Sequence, residues 1–287
     1  MPPKIRIPRP EDFAALSPQL NVSLHSPSPP ESTTAILILF HGLGDSETSF
    51  GTFARNMNLP GVLAIAVRGT SPLPPALLGG LSDDIDTSGP PRHFHWGDDL
   101  TLAAGGAGGA AAADAALDTD PGFAKAYNAI MTRLVRETLL DGCGWEMADI
   151  MLFGFGQGGS LALGMASQVR EGFRVEEVKS EEESGSGSSS SSNSASKAFK
   201  GVVSIGGPLP VSMVSTISAR SKARTPVLVC RGRACEAVDD EAVEAIQREF
   251  VNVREVKWRK AESGMPANRE EMLPVMQFFA ERLRSGW

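Results

Sequence analysis

Short runs that are apolar at nearly every position alternate along this chain with segments whose apolar residues recur at helical spacing. Residues 35–40, 62–67, 150–153, 202–205 and 227–230 are runs of this kind, four to six residues long. Each gives way to Gly or Arg, or, after residue 40, to His41-Gly-Leu-Gly-Asp45. A strand without polar alternation is covered on both faces, the condition of a parallel strand lying between two layers of helices. Between the runs, Phe123, Tyr127, Ile130, Met131, Leu134 and Val135 share one helical face, as do Ala242, Val243, Ile246 and Phe250. Met272, Val275, Met276, Phe279 and Leu283 repeat the spacing near the C-terminus, with Pro274 either kinking that helix or marking its first turn. The pattern predicts an α/β fold with a mostly parallel central sheet flanked by helices on both faces.

Two stretches fall outside this pattern. Residues 102–118 are nearly all Ala and Gly, and residues 176–196 pass from an acidic cluster into a serine tract. The second has too little apolar surface to offset its ordering entropy, and both are expected as disordered insertions in loops. Strand and helix signals resume after each, so residues 34–287 are expected as one domain preceded by an N-terminal arm, 1–33. Hydrophobic residues make up 41% and charged residues 21%. No run approaches the roughly 20 apolar residues of a membrane-spanning helix. A formal charge of −7 argues against a nucleic-acid partner, which needs clustered Lys and Arg. Three cysteines, an odd number, indicate no disulfide framework, and the first ten residues lack the apolar core of a secretory signal. A cytoplasmic protein is expected. No cofactor is implied, and no signal of a particular oligomeric state is present.

The chemistry concentrates in Asp149-Ile-Met-Leu-Phe-Gly-Phe-Gly-Gln-Gly-Gly-Ser160. It reads as a buried strand, a glycine-packed turn and a helix, the layout of a nucleophile elbow. In a G-x-S-x-G elbow the serine sits on a strained strand-to-helix turn with its hydroxyl above the sheet, where a histidine deprotonates it. Here Gly154 and Gly158 occupy the flanking positions and Gly156 the central one, so no hydroxyl lies between them. The four histidines are His25, His41, His93 and His95, and none follows. A hydrolase ordered serine, acid, histidine needs its imidazole near the C-terminus.

With these motifs placed, the chain resembles the phospholipase/carboxylesterase branch of the α/β-hydrolase fold, the acyl-protein thioesterase group in particular, over about residues 34–283. His41-Gly-Leu43-Gly-Asp45 resembles the family's loop after its third strand. The resemblance implies that the amide of Leu43 helps to form an oxyanion hole, with the amide of Gln157 as second donor. Gly154-Phe-Gly-Gln157-Gly-Gly159 is similar to the family's G-F-S-Q-G-G elbow at every position except the nucleophile. Arg231-Gly-Arg-Ala-Cys235-Glu236 resembles the loop that carries the family's acid, and places Cys235 where that aspartate stands. Met265 falls where the family has its catalytic histidine. The resemblance therefore implies a family member whose triad positions are Gly156, Cys235 and Met265, with the oxyanion half retained.

Other readings of the same residues stand beside this one. Gly154-x-Gly156-x-x-Gly159 also matches the dinucleotide fingerprint, but the acidic residue which that motif needs ~20 positions on falls at the edge of the acidic insertion. His93-Phe-His95-Trp96-Gly-Asp98-Asp99 has the residue types of a zinc site. It also resembles the family's Trp-containing loop near the pocket entrance, which makes His41, His93, His95 and Trp96 pocket residues; no metal is expected. His41 reads first as a structural residue of the oxyanion loop, and Ser160 as a packed hydroxyl. Cys235, with Arg231 and Arg233 nearby, is a substitute nucleophile only if a base or positive charge activates it. The expected function is a non-catalytic hydrolase-fold protein retaining a pocket for an acyl, ester or lipid ligand, or a surface for a protein partner. The alternatives are an active ester or thioester hydrolase using irregular residues and a nucleotide-binding protein.

Overall fold

The computed structural model describes residues 5–74, 91–100, 120–170, 198–214 and 221–284. Both predicted insertions, 102–118 and 176–196, lie outside the described residues. The sheet is built from β1 (Val22–His25), β2 (Ala35–Phe40), β3 (Val62–Val67), β6 (Ile150–Phe155), β7 (Gly201–Ile205), β8 (Val227–Gly232) and β9 (Val253–Trp258). A two-stranded ribbon, β4 (Ser71–Pro72) with β5 (Phe94–His95), stands apart from it. The sheet order is β1-β3-β2-β6-β7-β8-β9, parallel throughout except for β1, which pairs antiparallel with β3. The helices are α1 (Glu47–Met57), α2 (Ala124–Ala129, continued by a π-wound stretch Ile130–Gly142), α3 (Gln157–Gln168), α4 (Asp240–Glu249) and α5 (Arg269–Arg284). Pro274 lies inside α5 rather than in its first turn.

Alternation within single strands explains the unbroken apolar runs. Ile36, Ile38 and Phe40 of β2 join a core with α2, α3 and α4, containing Leu134, Leu161 and Ile246. Ala35, Leu37 and Leu39 face the other way into a second core with α1 and α5, containing Phe50, Phe153, Val275 and Phe279. At ~1.5–3 kcal/mol for each large side chain buried, these two cores fix strand order and register. They bring the C-terminal ends of all the parallel strands to one edge, where open α/β sheets carry their sites.

The segment expected as an arm is woven into the same body. β1 completes the sheet at one edge, and Phe13, Leu16 and Leu20 join the larger core. Arg6 fixes its start by capping the C-terminal end of α2's π-wound continuation: its amide donates to Cys143 O at 3.0 Å and its Nε to Gly142 O at 3.2 Å. The guanidinium also grips both oxygens of Asp12, at 2.6 and 2.7 Å. These bonds to Arg6 hold the Asp12 carboxyl down to about 2, from 3.8, with the Arg9 amide adding to them against the opposing effect of burial. A carboxyl depressed in the folded state stabilises fully above about pH 4 and loses that contribution as pH falls towards 2. Urea midpoints measured from pH 7 to pH 2 should therefore fall less steeply below pH 4 in Asp12→Asn than in the parent. Parallel curves would mean that the clasp is not formed.

Candidate functional site

The strand-to-helix junction β6–α3 has the geometry of an elbow. Gly156 has φ 51° and ψ −122°, a region that costs a residue bearing a Cβ ~1–3 kcal/mol. Its amide donates to Ile205 O at 2.8 Å, and its carbonyl accepts from the Ser160 amide at 3.0 Å. Backbone packing forces the turn. A Cβ on Gly154 would lie 2.1 Å from Gly158 O, and one on Gly158 would lie 2.3 Å from Phe40 O. A Cβ on Gly156, by contrast, would meet nothing within 4 Å. The chain is jammed below residue 156 and open above it. A side chain there would project freely, and there is none.

Beside the elbow, Leu43 lies in the loop that follows β2. This loop is held to the ribbon by Gly44 N–H to Phe94 O at 2.9 Å and Phe94 N–H to Asp45 O at 3.1 Å. Gln157 is the first residue of α3, so its amide has no partner within the helix. Among the described residues neither the Leu43 nor the Gln157 amide has an acceptor. Trp96 ties the loop, ribbon and elbow together: its amide donates to Gln157 Oε1 at 3.0 Å and its indole to His41 O at 2.8 Å. These are the two amides to which the family resemblance assigns an oxyanion hole, a device that stabilises a developing negative charge.

The imidazoles are differently committed. His41 is fully buried. Its Nδ1 lies 2.6 Å from Gly42 O and must carry the proton, while Nε2 accepts from the Gly69 amide at 2.8 Å. Burial pushes its pKa below the usual histidine range. With both nitrogens engaged, His41 holds the loop and has no lone pair to offer as a base. His93 donates from Nδ1 to Gly44 O at 2.7 Å. His95 is also buried, with no well-aligned hydrogen bond at Nδ1; burial first and Lys125 second hold it below the normal range, against the opposing effect of the Pro72 and Gly97 backbone. Asp98, read from sequence as a possible metal ligand, accepts from the amides of Ala124 and Lys125 at 2.7 and 2.8 Å and so caps α2. Among the described residues no group of three or more His, Cys, Asp or Glu is placed to hold a metal ion.

The acid and histidine loops carry other groups. Cys235 is 7% exposed and packs in the larger core. Arg231 turns away to Glu255 at 2.7 Å, to Val238 O at 3.1 Å and to Asp240; Glu236 is exposed. The 260–265 loop docks on the ends of β7 and β8. Ser263 Oγ accepts from the Gly232 amide at 3.1 Å, and Ser263 Cβ lies 2.6 Å from where a Cβ of Gly206 would be. The Met265 side chain packs against the second core. Its carbonyl accepts from Lys260 Nζ at 3.0 Å, and the same ammonium bonds Glu271 at 2.9 Å and lies over the Trp258 ring. An ion pair thus pins this loop. Sequence reasoning did not single out Lys260, or the Arg68–Glu47 pair (2.8 Å) that joins the end of β3 to the start of α1. Nothing in the local spacing marks partners 11 and 21 residues apart.

A mostly parallel sheet between two helical layers, with a glycine elbow after a central strand, defines an α/β-hydrolase fold. Residues 24–174 match the phospholipase/carboxylesterase family. That is just over half of the chain, and the protein belongs to this family. Acyl-protein thioesterase 2 of Zea mays is 21% identical, with a TM-score of 0.56 over 92% of this chain and 99% of that one. The Bacillus cereus carboxylesterase is 11% identical, with a TM-score of 0.54 over 94% and 97%. At these identities the likeness is one of fold. An uncharacterized hydrolase of Schizosaccharomyces pombe is 32% identical over 128 residues, 45% of this chain and 44% of that protein. The chain thus spans less than half the length of this curated relative. Among the described residues no helix is long and apolar enough to cross a membrane.

Proposed function

We propose that this protein is a non-catalytic member of the phospholipase/carboxylesterase family, which binds an acyl or ester group, or a protein partner, at an elbow that no longer cleaves. One observation carries the reading: the apex residue has the strained elbow conformation and open space above it, and it is glycine. A carbon-bound hydrogen cannot attack a carbonyl. The C-terminal loop, which the family resemblance assigns to the base, offers Ser263, Met265 and a paired Lys260 in place of an imidazole. Cys235 is packed away in the core, where a thiol lacks the base or cation that would make it a nucleophile. The oxyanion amides remain, and such amides alone leave roughly a thousandfold acceleration over water. Weak turnover at that level is compatible with binding alone.

The unpartnered Nδ1 of His95 favours a second reading, a hydrolase in which that imidazole activates a water. Both readings meet in one experiment. The purified protein should take up no label from a serine-directed fluorophosphonate, and short acyl nitrophenyl esters and palmitoyl thioesters should show no saturable cleavage. Saturable turnover abolished by His95→Ala or Cys235→Ala would replace the first reading with the second.

A further inference from the structure

The helix that packs against the N-terminal segment is wound in an uncommon way. From Ile130 to Gly142, 13 residues follow π rather than α winding, and the Thr138 hydroxyl repeats the five-residue step by donating to Arg133 O at 2.8 Å. A π-helix ordinarily lasts a single turn and often marks a functional element. Here the side chains call for it. Ile130 and Leu139 are both buried in the larger core, and so are Leu134 and Cys143. In each pair the partners are nine residues apart, about two and a half turns of an α-helix, which would set them on opposite faces. Bonds from i to i+5 widen the turn, bring nine residues close to two turns and align the pairs. α winding would instead bring Glu137, seven residues or about two turns from Ile130, onto the core face. In the π form Glu137 is exposed and pairs with Arg133 at 3.4 Å.

Backbone and packing thus pull in opposite directions: the chain alone favours α winding, and burial of this face favours π. The N-terminal segment decides between them. Phe13, Leu16 and Leu20 complete the core against which the face packs. Arg6 ties down the last turn through Cys143 O and Gly142 O, and Trp145 Nε1 donates back to Arg6 O at 2.9 Å. Asp98 fixes the opposite end of the helix at the amides of Ala124 and Lys125. Rise per residue falls as a helix turn widens, from about 2.0 Å in a 3₁₀-helix to about 1.5 Å in an α-helix and lower still in a π-helix. Rewinding to α therefore lengthens the segment, and with the Asp98 end held the Gly142 end must move out against Arg6. Between the two lies a cleft of about 200 Å3 lined by Arg6, Asp12, Leu16, Arg133, Glu137 and Thr138, so the segment is held at the Arg6 clasp and at its buried apolar residues rather than along its whole length. We infer that residues 6–16 are a releasable strap that locks α2 in its π-wound form, and that lifting it lets residues 130–142 rewind as an α-helix. Rewinding would turn Leu139 and Cys143 off the core and present an apolar face that the locked form hides. The inference holds whether or not the elbow is inert.

The test places spin labels on the full-length protein at two exposed positions, Asn128→Cys and Asp141→Cys, and reads their separation by pulsed electron paramagnetic resonance. The three native cysteines are buried, and protein without the added pair is the labelling control. The parent should give one distance. Arg6→Ala should add a second population several ångströms longer, and deuterium exchange at the amides of residues 130–142 should become about tenfold faster or more while that of residues 157–168 is unchanged. Asp12→Asn, which leaves the bonds of Arg6 to Cys143 and Gly142 in place, should show the longer population in a smaller share, and it keeps the strap testable should Arg6→Ala fail to fold. Adding Glu137→Leu to Arg6→Ala should enlarge that population, because it removes the charge that α winding would bury. Circular dichroism checks that each variant folds. One unchanged distance in the strap variants, or faster exchange with no lengthening, would overturn the inference.

Discussion

Gly154→Ala is expected to remove at least ~4 kcal/mol of stability, a large share of the roughly 5–15 kcal/mol that holds a typical domain together. The added methyl would sit 2.1 Å from Gly158 O, 2.3 Å from Gly158 C and 2.5 Å from Gly159 N. All three atoms are backbone, in a turn whose far side is pressed against Phe40 O and His41 O. No side chain can swing aside, so either β6 or the start of α3 must move, and the β2–β6 pairing moves with it. Gly264→Ala is the control, since its methyl would find only the Lys260 ammonium, 3.8 Å away, and should change stability by less than ~0.5 kcal/mol. Urea denaturation reads both. A cost below ~1.5 kcal/mol for Gly154→Ala would mean that the elbow is looser than described.

Gly156→Ser should lower stability by ~1–3 kcal/mol and restore no hydrolysis. The loss comes from the backbone alone: φ 51° is left-handed space that favours glycine, and a Cβ there touches nothing. Gly156→Ala should therefore cost the same as Gly156→Ser within a few tenths of a kcal/mol. This equality separates backbone strain from crowding. On the proposed reading the new hydroxyl would lack a base, and because members of a triad act as a unit a hydroxyl alone restores little of the rate. Rapid fluorophosphonate labelling of Gly156→Ser would reveal an imidazole within reach, and His95 would be the residue to remove next.

The sequence made β2, β3, β6, β7 and β8 visible because each is buried on both faces and apolar apart from Ser204 in β7 and Arg231 near the end of β8. It concealed β1 and β9 for the opposite reason. Both are edge strands, and Val253-Arg-Glu-Val-Lys-Trp258 carries charges on a half-exposed face that no search for apolar runs detects. The two-residue strands β4 and β5 are too short to show any period. At the site, the glycine apex and the missing histidine are matters of residue identity and could be read directly. The commitments of the imidazoles could not, since they depend on backbone partners such as Gly69 and Gly44 that the fold delivers from elsewhere. Asp98 shows the same limit. Its residue type suited a metal, and the fold made it a helix cap.

The most direct measurement is intact-mass spectrometry of the protein during incubation with a palmitoyl thioester. The account predicts an unmodified polypeptide throughout, with thioester loss no faster than the roughly thousandfold acceleration over water that two oxyanion amides provide. A palmitoyl adduct on any side chain that forms and decays as substrate is consumed would contradict it.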